Sequence, residues 1–516
     1  MSNKNLFKSI LGKMIPPADT INEAGGRAYR FSPQHALAQY AATGCLNTTY
    51  YASAEQQLGT VIALCAQVEP EFLAKTAIFC RERGFMKDMP ALLCAMLSVR
   101  APALCAQVFD RVIDDAKMLR NFVQIVRSGA VGRKSLGTRP KKLVLGWLAS
   151  RDDEAVFRAS VGNDPSLADV VRMVHPHPAT AERQALYGWL IGRPIDIERL
   201  PQPARRFEEY KRARTGELPD VPFQMLTALE LGTAEWCEIA RRASWQQTRM
   251  NLNTFARHGV FDRPGMAELV AAKLRDAEAV ARARVFPYQL LAAYVSTDTT
   301  VPRIVRDALQ DALEHSLANV PAIDGKVFVF PDVSGSMSSP VTGVRRGATT
   351  AVRCIDVAAL VAAAILRKNP NAEILPFAEC VKPVALNARD SVMTNAEQLA
   401  ALGGGGTNCS APLELLNKRR AQGDLVVYVS DNQSWLDTHA TGTATMREWT
   451  AWKKRNKSAR LVCIDLQPYG HTQAAEREDV LNVGGFSDQV FEIVKLFARG
   501  ELEAGHWVRV IEEVQL

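Results

Sequence analysis

The sequence predicts two architectures in one chain. An α-solenoid of HEAT-like helical hairpins should occupy residues 24–320, and a doubly wound, Rossmann-like α/β sheet residues 321–516, after a tail at 1–23. Three observations lead there. At 516 residues the chain is too long for a single hydrophobic core. From about Ala24 to Val320 apolar residues recur at three- and four-residue spacing, as on one face of a helix. Beyond Val327 short, wholly apolar runs alternate with helical stretches, the pattern of buried parallel strands and their crossover helices.

The helical part reads in order. SAEQQLGTVIALCAQV opens with a capping box of Ser53 and Gln56, and Pro70, Pro90 and Pro102 fall in first helical turns. The helices are short, and glycines at 84, 129, 132, 162 and 192 break them. No strict repeat is present. Successive amphipathic pairs that cannot bury their faces alone still point to a stacked solenoid. Residues 201–220 are charged and proline-flanked, either an exposed helix or an excursion between repeats. Helical pattern resumes at Phe223 and runs to His315, and Ala322-Ile323-Asp324-Gly325 turns into the first strand, Val327–Phe330. Helices are then expected at 355–367, 395–402, 446–457 and 488–499, with strands at 372–377, 425–429 and 461–466.

Composition narrows the class. Hydrophobic content of 47% and 23% charge suit a soluble globular protein. Ten scattered cysteines without a CxxC pair indicate neither a zinc framework nor a disulfide scaffold, and fit free thiols in a reducing cytoplasm. The opening MSNKNLFKSILGK is too short and polar for a membrane span and lacks the form of a signal peptide. Net charge is +7; residues 1–320 hold 41 basic and 33 acidic residues, the remainder 21 and 22. The excess, and so any polyanion partner, belongs to the helical part.

Chemistry concentrates in two places. Strand Val327–Phe330 runs into Asp332-Val333-Ser334-Gly335-Ser336, where a carboxylate and two hydroxyls on alternate residues offer only oxygen ligands. Gly403–Gly406 then lets a backbone loop approach closely and brings Thr407, and the strand ending at Ser430 brings Asp431. Hard divalent cations, Mg²⁺ foremost, take such ligands and keep waters that an acidic partner group can displace. The set Asp332, Ser334, Ser336, Thr407 and Asp431 resembles the metal-ion-dependent adhesion site of von Willebrand factor A (vWA) domains.

The second concentration is basic. Residues 127–151 hold Arg127, Arg133, Lys134, Arg139, Lys141, Lys142 and Arg151 without an acid, in a glycine- and proline-broken loop suited to phosphate. A solvated face is the competing explanation. Between Glu238 and Asp262, Arg241, Arg242, Arg249 and Arg257 interleave with Trp245, Gln246, Gln247, Asn251 and Asn253, side chains that stack on and hydrogen-bond to unpaired bases. Trp245 by itself reads more readily as core. Arg282 and Arg284 follow in ARARVFPY, and Arg172 and His175 in VVRMVHPHP.

LNTTYYAS, GRKSLGTRPKKLVLGWL, SLADVVRMVHPHP, WQQTRMNLNTFARHGVF, ARARVFPYQLLAAY and PDVSGSM, in that order, are similar to the Ro autoantigen family, the TROVE-module proteins, over roughly residues 24–516. The resemblance implies a monomeric ring of helical repeats closed by a vWA domain. It implies that single-stranded 3′ ends of misfolded RNAs enter the hole, that Y-like non-coding RNA binds the outer rim, and that a 3′ exonuclease, polynucleotide phosphorylase, is tethered through such an RNA. His175 and Arg172 match rim positions. Leu167-Ala168 and Gly162 stand where relatives carry polar or basic residues, with Arg158 able to take over part of the role.

The leading expectation is therefore a non-catalytic ribonucleoprotein scaffold for small-RNA quality control. A Mg²⁺-dependent protein-adhesion scaffold is the alternative, and a metal-dependent nuclease a third. Two-metal hydrolysis generally needs more carboxylates and a base than Asp332 and Asp431 provide, and Asp437 and His439 read as structural.

Overall fold

In the computed structural model, residues 15–283, 285, 287–317, 320, 322–344, 352–435, 442–485, 488–501 and 506–516 are described. The chain forms two compact units. One gathers the segment ending at Leu64 with Val285–Ala292 and Leu313–Val510; the other holds Cys65–Arg284, Ala293–Ala312 and Ile511–Leu516. A single cut at residue 320 does not reproduce this division.

The first unit is the α/β part. Its strands, in chain order, are β1 (Thr20–Ile21), β2 (Arg27–Arg30), β3 (Val327–Pro331), β4 (Glu373–Ile374), β5 (Leu425–Ser430), β6 (Arg460–Asp465), β7 (His471–Thr472) and β8 (Val480–Gly484). Five form a parallel sheet in the order β4-β3-β5-β6-β8. β3, β5 and β8 are buried along their whole length, as their apolar sequences require. β4 is shorter than the expected 372–377, although Leu375 N and Phe377 N still donate to Val329 O and Pro331 O of β3 at 2.9 and 3.1 Å. Helix Cys354–Lys368 is buried from Cys354 to Leu366 except at Asp356, matching the nearly all-apolar stretch. On one side of the sheet Phe328, Phe330, Tyr428, Trp449 and Trp452 form the core, with Phe330 and Tyr428 edge-to-face at 4.9 Å.

The sequence predicts a tail at 1–23 and the helical part from residue 24, whereas the segment ending at Leu64 groups with the α/β part. β1, β2 and β7 make a small antiparallel sheet in which Tyr29 pairs with Thr472 and Arg30 with His471. Gly26 is required there, since a Cβ would lie 2.1 Å from Ser434 O, and Asn22 Nδ2 donates to the same carbonyl at 2.6 Å.

The second unit is a succession of short amphipathic helices, among them Pro70–Glu82, Asp88–Arg100, Pro102–Val112, Ala116–Ser128, Thr138–Ser150 and Leu167–Val174. Residues 201–220 resolve as helix Gln202–Ala213, with Ala204, Phe207 and Tyr210 inward. The chain's last residues belong here too: Lys75 Nζ donates to Glu512 O at 2.9 Å and Arg111 to Gln515 O at 2.6 Å. In the first unit the Ser53–Gln56 capping box forms, each side chain accepting from the other's backbone N–H at 3.2 and 2.8 Å.

Candidate metal centre and nucleic-acid interface

Strand order β4-β3-β5-β6-β8 reverses direction between β3 and β5, and ligand sites in such sheets lie at the carboxyl ends of the strands flanking that reversal. Asp332 follows β3 and Asp431 follows β5, so sheet topology alone brings the two carboxylates to one crevice. The glycine loop completes it. Gly404 and Gly405 take φ of +120° and +98°, and Gly404 N donates to Val333 O at 2.9 Å while Gly335 N donates to Gly405 O at 2.8 Å. Thr407 is thereby carried to the Asp-x-Ser-x-Ser turn.

All five predicted ligands are buried. Asp332 Oδ1 accepts from Ser334 N at 2.8 Å and Oδ2 from Ser430 Oγ at 2.6 Å. Ser334 and Ser336 hydroxyls lie 3.3 Å apart. Asp431 Oδ1 accepts weakly from Gln433 N at 3.3 Å, and Oδ2 is buried without a hydrogen-bond partner. Burial pushes the Asp332 carboxyl above its ordinary value. Burial, and then the neighbouring Asp332 carboxylate, lift Asp431 to about 7. Among the described residues no Lys, Arg or His pairs with either. An orphaned carboxylate oxygen beside a second carboxylate and the Ser334 and Ser336 hydroxyls is a donor set that fits a hard cation.

Sequence reasoning missed several neighbours. Asp465, at the end of β6, is a third buried carboxylate, raised by burial and then by Asp431. Tyr51, far away in the chain, lies beside Ser336 and Asp431; burial and then Asp431 hold its phenol above the usual range. Its ring meets Tyr469 edge-on at 6.3 Å. Nothing in a linear motif search points to Tyr51, because only the folding of the amino-terminal segment onto the sheet brings it there. Asp437 and His439 lie outside the described residues.

The basic candidates separate by engagement. Arg127, Lys134, Arg139 and Lys142 are exposed and Lys141 half-buried, and none forms an ion pair among the described residues. Arg139, Lys141 and Lys142 stand in the first turns of helix Thr138–Ser150, the end where the helix dipole disfavours cations. Arg133 turns inward, Nη2 donating to Ser98 O at 3.1 Å. Arg158 is held by Glu154 at 2.9 Å and Asp220 at 3.0 Å, and Arg242 by Glu238 at 2.6 Å and Glu217 at 2.8 Å. Arg172 reaches Asp169 at 3.3 Å and Ile191 O at 2.8 Å. Exposed His175 caps its helix with φ of +50° and lines a cavity of about 330 Å³ with Arg172 and Arg193. Arg249 Nε donates to Gln246 Oε1 at 3.1 Å, and Asn251 Nδ2 to Gln247 O at 2.8 Å. Trp245 is core, its Nε1 donating to Leu274 O at 3.0 Å. Arg284 lies outside the described residues.

Helical repeats followed by a vWA-type sheet with this site define the class. Residues 326–498 match the Ro60 vWA domain model. Over 97% of its length the chain is 25% identical to the whole of the RNA-binding protein RO60 of Deinococcus radiodurans. A Caenorhabditis elegans protein of the same name is 21% identical over 45% of this chain and 37% of its own. The crystal structure of the D. radiodurans Ro (Rsr) protein aligns over 91% of this chain and all of its own, with a TM-score of 0.59 at 21% identity. The chain is thus similar to Ro proteins over nearly its whole length, and residues 326–498 match the vWA domain of that family.

Proposed function

We propose that this protein is a non-catalytic RNA-binding scaffold. The observation that carries the reading is the run Arg127, Lys134, Arg139, Lys141 and Lys142: cations without ion pairs among the described residues, three of them set against a helix dipole. Such a placement costs stability unless an anion is bound, and phosphate at a helix amino terminus removes the cost. The names of the D. radiodurans and C. elegans relatives support RNA as the partner. On this reading Y-like structured RNA contacts the cluster together with Arg172 and His175, and unpaired 3′ ends of misfolded RNAs are a second ligand. A 3′ exonuclease such as polynucleotide phosphorylase joins through the RNA. The setting is cytoplasmic, in keeping with cysteines that are all free.

Asp332, Ser334, Ser336, Thr407 and Asp431 would hold Mg²⁺, directly or through water. The ion would neutralise the buried carboxylates and offer an open position to an acidic group. The chain's own part is to bury and orient these oxygens, with Ser430 fixing Asp332. The orphaned Asp431 Oδ2 supports this reading.

Purification from native cells, followed by sequencing of the retained RNA, tests the function. Small structured RNAs with frayed 3′ ends are expected, and bound proteins should leave on nuclease treatment. Partners that survive nuclease but leave with EDTA, with no RNA enriched, would favour the adhesion scaffold instead.

A further inference from the structure

The second unit contains an open cavity of about 810 Å³, within the size range of small-molecule sites. Loop 159–166, helix Ala181–Leu190, helix Gln202–Ala213 and helix Phe223–Thr227 contribute its walls. The loop wall is preformed. Buried Arg120 donates to Ala159 O at 3.3 Å and to Val161 O, and a Cβ at Gly162, φ +110°, would lie 2.3 Å from Arg120 Nη2.

One side is apolar and incompletely covered: Trp189, Leu190, Met225 and Leu229. The Trp189 ring is fixed, because Nε1 donates to Glu208 Oε1 at 2.9 Å and the ring packs on Phe157 at 5.5 Å. Opposite in character are Asn163 and Gln224, exposed at the wall with side-chain amides that have no partner among the described residues. Among the described residues no carboxylate lines the cavity. Lys211 does, paired with Glu208 at 2.7 Å, and Arg206 and Arg212 on the same helix are exposed without an ion pair among the described residues. Ala168, on the lining, is one helical turn from Arg172.

A fixed aromatic platform, two uncommitted amides that can donate and accept, and surrounding cations are what an unpaired base on an anionic backbone requires. A purely apolar occupant would bury both amides unsatisfied, and a cationic one would find no carboxylate on the lining to pair with. We propose that this cavity receives an unpaired nucleoside of a bound RNA, its base against Trp189 and Met225 and its edge read by Asn163 and Gln224. The inference rests on the RNA-binding reading and assigns it a subsite.

The test uses the full chain and two labelled single strands, one with bases and one abasic, titrated across salt. Asn163→Ala with Gln224→Ala, and separately Leu229→Trp to fill the space, should weaken the base-bearing strand about tenfold. The abasic strand should bind all three proteins alike, and the salt slope should not change, since no phosphate contact is lost. A strand carrying 4-thiouridine should photocrosslink to the peptide containing Met225 or Trp189. Should wild type bind RNA while both variants match it and crosslinks fall elsewhere, the subsite is wrong and RNA binding stands. Should wild type bind neither strand, both ideas fall.

Discussion

Replacing Asp431 with Asn removes one charge from the metal centre and keeps the side chain's shape. Burial and Asp332 raise the Asp431 carboxyl from 3.8 to about 7. A group whose folded pKa lies above its unfolded one stabilises the fold below the unfolded value and loses that contribution as pH rises to the folded one. Without a divalent ion, wild type should therefore lose stability relative to Asp431→Asn between about pH 4 and pH 7. At 1.36 kcal/mol per unit the full shift corresponds to roughly 4 kcal/mol as an upper bound. His471 acts oppositely: burial lowers it to about 4, so its contribution grows with pH up to its unfolded value of 6.5. It is present in both proteins and cancels in the difference. Urea unfolding of the full chain in EDTA, followed by tryptophan fluorescence with Trp449 and Trp452 as core reporters, measures that difference. Mg²⁺ at a hundred times its dissociation constant should then restore about 2.7 kcal/mol to wild type and far less to the variant. Parallel pH curves for the two proteins, or equal Mg²⁺ stabilisation, would refute the reasoning.

Lys141→Glu with Lys142→Glu should weaken structured-RNA binding at least tenfold and flatten its salt dependence, with Mg²⁺ stabilisation unchanged; filter binding across salt reads the first two and melting the third. Arg158→Ala and Arg242→Ala, both engaged in exposed ion pairs, should change RNA affinity less than about twofold and stability by no more than about 1 kcal/mol. Asp332→Ala should abolish the Mg²⁺-induced melting shift while RNA affinity in EDTA stays at the wild-type level. Gly162→Ala should cost about 2 kcal/mol or more, from positive φ and the collision with Arg120, and denaturant unfolding would show it.

The metal centre was legible because its residues sit in local motifs at the ends of apolar strands. The alternation of those strands with helices is enough to infer a doubly wound sheet. Tyr51 and Asp465 escaped because their approach to Asp431 depends on packing between distant segments. The same limit explains the basic residues. Runs 127–151 and 238–262 look alike in sequence, yet Arg242 of the second meets Glu217, and Arg158, outside both, meets Asp220, acids that no local count would pair with them. Trp245 became core through a carbonyl 29 residues on, and strands as short as β1, β2 and β7 carry no period to detect.

The central claim is that the helical unit's unpaired cations, and not the metal centre, hold RNA. It is tested most directly by measuring the affinity of one structured small RNA across a salt series, in EDTA and again in Mg²⁺. A steep logarithmic loss of affinity with salt, with a slope of about −4 for four or five neutralised phosphates and present in EDTA, is the expected result. Affinity that is indifferent to salt, or that vanishes when Mg²⁺ is removed, would contradict it.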